Sequence, residues 1–280
     1  LTISEKQKLR RLLEENYLPK NRVYRYNFFY DNCTTRARDI IEKCIEGKVV
    51  YSEGKERLSF RDIVHQYTKG HEWDELGIDM CLGSEADKSI DTRKQMFAPF
   101  YMLEAAKKAT IVVGDSVRPL ILHEKKVVDV EPEDVREGFP LSPMVCVFIL
   151  IGVTCFVGWL QFKIRKIIWI WDLLLFGVQG LAGCVITFLV FFSTHPTVGS
   201  NWLILLLNPI PLIYLPVMVY RAIKGKKDYY HTINIVCLTS FMMIMPFIQQ
   251  KFNVTVLPLA LCLLICSANH VLLYYRQNNK

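Results

Sequence analysis

The sequence lacks the cysteine patterns that hold structural metals. Nine cysteines occur among its 280 residues, but no CxxC pair and no Cys/His spacing typical of a zinc site is present. A stripe of basic and aromatic residues, which nucleic-acid-binding surfaces use to stack bases, is also missing. We therefore expect no metal, no cofactor and no nucleic-acid partner.

The marks of pores and transporters, which are inverted repeats and a ring of charge inside the apolar segments, are not visible either. The chain begins at Leu1, without an initiator Met and without the apolar core of a signal peptide. We expect it to be a fragment, or a mature form, whose N-terminal part is missing.

Hydrophobic residues make up 51% of the chain and are unevenly distributed. The first half is polar and mixed, whereas the second half is nearly a continuous series of apolar runs. This asymmetry predicts a water-soluble domain over residues 1–130 and a membrane domain over residues 144–280. Residues 131–143, which contain three prolines, are predicted to link the two.

Five apolar segments each have close to the roughly 20 residues that a bilayer core requires. Basic residues follow the first, third and fifth segments, whereas the connectors after the second and fourth contain almost none. The positive-inside rule therefore predicts a cytoplasmic C-terminus, and five spans then put the N-terminal domain outside the cytoplasm. The predicted spans are about 141–162, 167–193, 202–220, 233–249 and 254–275.

Few polar residues interrupt these segments. Asp172 lies near the start of the second segment, and we expect its carboxylate to snorkel to the interface. Asn208 and three nearby prolines break the third segment, which predicts a kink or a re-entrant segment. His195 lies in the external connector, where we expect a solvated side chain; a role near the mouth of an active site is the alternative.

The first half of the chain has the pattern of an α+β domain. A capping box of Ser4 and Gln7 predicts a helix through about Glu15. The aromatic run over residues 23–30 predicts a strand, and a helix that begins at Cys33 is expected to pack on the sheet. Three further extended segments predict a hairpin or small meander over residues 109–113, 117–123 and 126–130.

Cys33 is the residue in the first half with the clearest chemical potential. Asp31 or Asn32 is a natural N-cap, which puts Cys33 in the first turn of its helix. Unpaired N–H groups and the helix dipole favour a thiolate there, and the same N–H groups, with Thr34 the nearest, could bind an oxyanion. The alternative is that Cys33 is a small buried hydrophobic residue, as we expect of Cys44 on the same helix face.

A nucleophilic cysteine needs a base, which is usually a histidine. The candidates in the first half are His65, His71 and His123, and each has the sequence context of a solvated histidine. The sequence therefore offers no convincing partner for Cys33. If this domain is outside the cytoplasm, Cys44 and Cys81 could form a disulfide and leave Cys33 free.

The residues around Cys33 resemble the signature of the Lnb N-terminal periplasmic domain family. The most specific part is the block Asn32-Cys33-Thr34-Thr35 followed by Arg36 and Asp39. The resemblance covers nearly the whole chain. It also includes Tyr24 to Asp31, Phe60-Arg61-Asp62, Gly77 to Asp87, Phe97-Ala98-Pro99, His195-Pro196-Thr197, Asn201-Trp202 and Asn208-Pro209.

The resemblance carries expectations about fold and site. The family's soluble domain resembles circularly permuted papain-like folds, and its members include a lipoprotein N-acyltransferase of Gram-negative bacteria. By resemblance, Cys33 is the nucleophile, and Asn32 and Thr34 shape the oxyanion site. Arg36 and Asp39 would brace the helix or contact a phosphate headgroup.

Two further expectations come from the same resemblance. The family's histidine is expected upstream of Leu1, so this chain would be catalytically incomplete. Asp79 and Asp87 match family positions, and we expect each to cap a turn.

We therefore predict a multi-pass protein of the bacterial inner membrane with a periplasmic N-terminal domain. It would move an acyl chain from a phospholipid, through a Cys33 thioester, to the N-terminal amine of diacylglyceryl-cysteine lipoproteins. Two alternatives stay open: a cysteine amidase or peptidase acting on cell-wall peptides, and a non-catalytic membrane scaffold that binds lipoproteins.

Overall fold

A computed structural model describes residues 1–54, 57–128 and 139–278. The chain divides into two compact units. The N-terminal unit consists of Leu1–Tyr67 and Lys88–Arg136, and the membrane unit consists of Thr68–Asp87 and Glu137–Lys280. Most of the predicted linker lies outside the described residues, and the predicted domain boundaries stay a prediction.

The first part of the chain forms short helices and one small sheet, as an α+β domain requires. The sheet has the order β1-β2-β3 with antiparallel neighbours, and Val49 lies opposite Ile111. The elements are α1 Ile3–Tyr17, α2 Cys33–Cys44, β1 Lys48–Val50, α3 Phe60–Thr68, α4 Glu72–Cys81, α5 Thr92–Gln95, α6 Pro99–Lys108, β2 Thr110–Val113 and β3 Ser116–Pro119, of which α4 belongs to the membrane unit.

The C-terminal end of α2 packs on this sheet. Cys44, Ile45 and Ile111 are buried together, and Leu9 and Leu12 of α1 cover them from the other side. The predicted packing of the Cys33 helix on a sheet is therefore confirmed. The β2–β3 hairpin is confirmed as well, but the described part of the predicted segment 126–130 forms no strand.

Two local predictions are wrong. The capping box of α1 is formed by Thr2 and Glu5 instead of Ser4 and Gln7, because the helix begins two residues earlier than predicted. The aromatic run before Cys33 forms no strand. The side-chain oxygen of Asn27 instead accepts the N–H groups of Phe29 and Tyr30, which closes the chain into a turn.

The membrane unit has five segments that are long and apolar enough to cross a bilayer, among the residues that the structure describes. They are Pro143–Ile164, Trp169–Phe191, Pro196–Ile223, Tyr229–Phe247 and Val256–Gln277. The corresponding helices are α7 Pro143–Ile164, α8 Trp169–Phe191, α9 Pro196–Gly199, α10 Ile210–Ile223, α11 Tyr229–Ile244 and α12 Val256–Asn278. The predicted five-span architecture is therefore confirmed.

The third segment is broken, as its prolines predicted. It consists of α9, a 3-10 turn over Trp202–Leu205 and α10. The break packs closely against α8: a Cβ on Gly183 would lie 2.2 Å from the carbonyl carbon of Asn208, so only glycine permits this approach.

The segment Thr68–Asp87 belongs to the membrane unit because it hydrogen-bonds the connectors of that unit. Gly83 donates its N–H to the carbonyl of Thr197 at 2.7 Å. Asp79 accepts a hydrogen bond from the Asn253 side chain at 3.0 Å, and Asp87 accepts the N–H of Lys251 at 3.1 Å. We expected Asp79 and Asp87 to cap turns, but both carboxylates hold connector residues far away in sequence.

Asp172 does not snorkel. Its side chain is fully buried, and Oδ2 lies 2.7 Å from Nε2 of His270 on α12. The Cys266 thiol also donates to Asp172, at 3.4 Å. A partner inside the bundle removes the need for the carboxylate to reach water, which explains the failed prediction.

His195 is half-buried at the N-cap position of α9, and its predicted role stays untested.

Candidate active site at the start of helix α2

Asn32 fixes the point at which α2 begins. Its side-chain oxygen accepts the N–H of Thr35 at 2.9 Å, and the Thr35 hydroxyl accepts the N–H of Asn32 at 2.8 Å. These two bonds form a capping box, which selects the first helical residue. That residue is Cys33, as the sequence predicted.

The remaining polar atoms of Asn32 bind backbone. Its side-chain nitrogen donates to the carbonyl of Phe28 at 2.8 Å and to the carbonyl of Phe97 at 2.9 Å. The residue is only 5% exposed. Both amide hydrogens of the Asn32 side chain are therefore used, and the role that these contacts support is the positioning of Cys33. The predicted contribution of Asn32 to oxyanion binding stays a prediction.

Cys33 is exposed at the first position of α2. The first helical hydrogen bond is made by the N–H of Arg36, and the side chain of Asn32 takes the N–H of Thr35. The N–H groups of Cys33 and Thr34 donate to no residue that the structure describes. An exposed thiol therefore belongs to the same first turn as two N–H groups without a described partner, and N–H groups at such a position can stabilise an oxyanion.

A cluster of aromatic rings lies under the turn that precedes Cys33. The centroids of Phe29 and Phe60 are 4.6 Å apart, and those of Phe29 and Phe97 are 5.1 Å apart. All three rings are at least nine-tenths buried. Because the carbonyl of Phe97 also accepts a hydrogen bond from Asn32, the cluster holds the beginning of α2 in place.

Arg36 braces the same turn from the other side. Its guanidinium donates two hydrogen bonds to the carboxylate of Asp31, at 2.7 and 2.9 Å. The same group lies 3.4 Å from the centroid of the Tyr24 ring, a cation–π contact. This geometry fits the bracing role that the resemblance implied for Arg36.

Asp39, one turn further along α2, has a similar bracing function. It accepts hydrogen bonds from Arg38 and from Arg93, each at 2.9 Å. Arg38 is almost fully buried and also donates to the carbonyl of Arg93. These contacts join α2 to α5 within the N-terminal unit.

Tyr26 is a residue near the thiol that the sequence reasoning treated only as part of a strand. Burial raises the pKa of its hydroxyl, and the neighbouring Cys33 adds to the rise. The aromatic run before Cys33 was the sequence signal that could have identified Tyr26 as its neighbour. Reading the run as a strand concealed this, because a strand points alternate side chains to opposite faces. The turn at Asn27 instead brings Tyr26 close to Cys33.

Two other cysteines of the first half have different surroundings. Burial raises the pKa of the Cys44 thiol, which donates to the carbonyl of Ile41 at 3.1 Å. Burial also raises the pKa of the Cys81 thiol. Both are free thiols, so the disulfide that the sequence allowed is not formed.

No described residue of the N-terminal unit is hydrogen-bonded to the Cys33 thiol as a general base would be. The Cys33 thiol forms no hydrogen bond with a described residue, so neither His65 nor His123 is paired with it.

The fold and the site together define a multi-pass membrane protein with an α+β unit that presents a cysteine at a helix start. The family model of the Lnb N-terminal periplasmic domain matches residues 1–69, and that of the Lnb transmembrane domain matches residues 134–278. The chain therefore belongs to the Lnb family. Neither a curated protein nor a solved structure matches it.

Proposed function

We propose that this protein is a lipoprotein N-acyltransferase of the bacterial inner membrane with Cys33 as its nucleophile. The observation that carries the proposal is the exposed thiol in the helix turn whose first N–H groups, those of Cys33 and Thr34, have no partner among the described residues. Membership of the Lnb family agrees with it, because the family resemblance implies this activity.

The first half-reaction would transfer an acyl chain to the enzyme. The Cys33 thiolate attacks the ester carbonyl of a phospholipid, and the N–H groups of Cys33 and Thr34 stabilise the resulting oxyanion. The bond from the acyl carbon to the glycerol oxygen breaks, and that oxygen takes up a proton. The products are a Cys33 thioester and a lysophospholipid.

The second half-reaction would use the α-amine of a diacylglyceryl-cysteine lipoprotein. The amine attacks the thioester, an amide bond forms, the carbon–sulfur bond breaks and the amine loses a proton.

We propose a periplasmic site for both steps, with a cytoplasmic C-terminus, because the basic connectors of the membrane unit follow the positive-inside pattern. A papain-like fold of the N-terminal domain is part of the same proposal.

The test compares Cys33→Ala with Cys44→Ala in the protein expressed from its complete gene. We expect Cys33→Ala to lower lipoprotein N-acylation by about a thousandfold or more and Cys44→Ala to leave it close to wild type. Mass spectrometry of the lipoprotein N-terminus gives the readout. Full N-acylation by Cys33→Ala would refute the proposal, and cleavage of cell-wall peptides by the wild type without N-acylation would favour the amidase alternative.

A further inference from the structure

The membrane unit contains a cavity between the end of α10, the start of α11 and the end of α12. The cavity itself has a volume of about 30 Å³, and together with the solvent-filled space at its mouth it measures about 500 Å³. Met218 and Val271 contribute apolar surface to it. Its polar lining includes Arg221, Lys226, Lys227, Asp228, His270 and Tyr274.

The charge of this cavity is unbalanced. Three cationic side chains, Arg221, Lys226 and Lys227, face one carboxylate, that of Asp228. None of the three forms an ion pair with a residue that the structure describes; Arg221 instead donates to the backbone carbonyl of Lys227 at 3.1 Å. The local potential is therefore positive.

The single Asp228 carboxylate offsets only one of the three cationic charges, and it forms no ion pair with a described residue. Its Oδ1 accepts the N–H of Tyr230 at 2.9 Å and the hydroxyl of Tyr214 at 3.2 Å. Asp228 is thus the N-cap of α11, and its role is to begin that helix.

Tyrosine rings contact the ammonium groups of both lysines. The Lys227 ammonium lies 4.9 Å from the ring centroid of Tyr229 and 5.5 Å from that of Tyr275. The Lys226 ammonium lies 5.3 Å from the ring centroid of Tyr220. Tyrosines are typical of the membrane interface, so these cations are placed at the depth of lipid headgroups.

His270 adds a polar group to the lining of the cavity. Its Nε2 is held by Asp172, whereas its Nδ1 makes no hydrogen bond to a described residue. The cavity thus combines unpaired cations, a histidine and an apolar wall. Basic pockets between transmembrane helices have this composition where they bind phosphate-bearing headgroups.

We propose that this cavity binds a phosphate-bearing anion, supplied by an anionic membrane lipid or by free phosphate. The proposal does not depend on the function proposed for Cys33, because it rests on contacts within the membrane unit alone.

The test measures binding of fluorescently labelled phosphatidylglycerol to the full chain in detergent micelles, with phosphatidylcholine carrying the same label as the zwitterionic probe. We expect the wild type to prefer phosphatidylglycerol. The triple variant R221Q/K226Q/K227Q is expected to bind it about tenfold more weakly or worse, since each cation near the membrane surface contributes to attraction of anionic lipid.

The matched control is K163Q/K166Q/K224Q, which removes the same charge from positions outside the cavity lining, in the last turn of α7, just after it and at the C-cap of α10. It is expected to bind within about twofold of the wild type, and the conservative variant K226R/K227R is expected to retain binding. Should the triple variant aggregate, K226Q/K227Q replaces it. Equal loss in the control, or equal binding of the two lipids by the wild type, would overturn the proposal.

Excess inorganic phosphate separates the two sources of the anion. Complete displacement of labelled phosphatidylglycerol assigns free phosphate as the ligand. Retention of the lipid in the presence of phosphate assigns the headgroup together with its acyl chains. Both results support a phosphate site, and the variants above decide whether the site is this cavity.

Discussion

The two ends of helix α2 carry the same residue in opposite surroundings. Cys33 at the first position is exposed and lies beside N–H groups without a described partner. Cys44 at the last position is fully buried, and its thiol donates to the carbonyl of Ile41. The comparison shows that two cysteines on one helix can differ completely in exposure, according to whether the helix start or the packed helix end carries them.

Different contacts stabilise the two ends. The start of α2 is held by Asn32, by the aromatic cluster and by Arg36. The region after its end is held by Glu5, which is fully buried and accepts the N–H of Glu46 at 2.9 Å. Single substitutions can remove the contacts at one end without touching those at the other, so the stability of each end can be tested separately.

The largest expected difference between the two ends is in the rate at which Cys33 and Cys44 are alkylated. In native protein, we expect iodoacetamide to modify Cys33 at least about 100-fold faster than Cys44, because Cys44 reacts only after local opening. Peptide-resolved mass spectrometry over time measures both rates. In denaturant the two rates should converge, and similar native rates would remove the distinction between the two ends.

Glu5→Gln should have the next largest effect, on the end that carries Cys44. The Glu5 carboxylate also forms an ion pair with Arg118, and the substitution leaves that cation with a neutral partner. We expect a loss of about 3 kcal/mol in the stability of the N-terminal unit. Hydrogen exchange of α1 and of the Glu46 amide reports it, and Glu15→Gln, whose exposed carboxylate has no described partner, serves as the unaffected control.

The same carboxylate predicts a pH dependence. Burial by itself raises the pKa of Glu5, but the N–H groups of Thr2 and Glu46 and the Arg118 guanidinium outweigh it and lower the pKa overall. A lowered pKa means that the stabilisation is present above the ordinary glutamate value of about 4.3 and is lost as the pH falls below it. The Glu5→Gln variant should show a weaker acid destabilisation than the wild type.

Asn32→Ala should weaken the start of α2 by about 2 kcal/mol. The substitution removes the cap of Thr35 and leaves the carbonyls of Phe28 and Phe97 without their donor. Asn32→Asp keeps the capping oxygen but places a buried carboxylate oxygen against the carbonyls of Phe28 and Phe97, so it should be at least as unstable as Asn32→Ala. Denaturant unfolding monitored by alkylation of the buried Cys44 measures this order, and equal stability of all three proteins would contradict the positioning role.

Arg36→Ala should have the smallest effect, about 0.5 to 1 kcal/mol, because the Arg36–Asp31 pair is partly exposed. A double-mutant cycle with Asp31→Asn isolates the pair from the contact with Tyr24. A coupling near zero would show that the ring contact, and not the carboxylate, holds Arg36.

The sequence was sufficient for the features that depend on local patterns. The five spans follow from apolar segments of bilayer length, and the break in the third follows from its prolines. The position of Cys33 follows from the capping preference of Asn32. These predictions need no information about which distant residues meet.

The predictions that failed depend on distant partners. Asp172 was expected to snorkel because its partner, His270, lies 98 residues away on α12. The carboxylates of Asp79 and Asp87 were assigned to turns because the connector residues that they bind cannot be identified from spacing. The run before Cys33 has strand propensity, but the side-chain oxygen of Asn27 competes successfully for its N–H groups.

The most direct test is to trap the acyl group on the enzyme. The protein expressed from its complete gene is incubated with a phospholipid that carries an alkyne-labelled acyl chain, without lipoprotein acceptor, and is then quenched in acid. We predict the label on the peptide that contains Cys33, with release by neutral hydroxylamine, as expected of a thioester. Label on another residue, or none on Cys33 while the enzyme still acylates lipoproteins, would contradict the account.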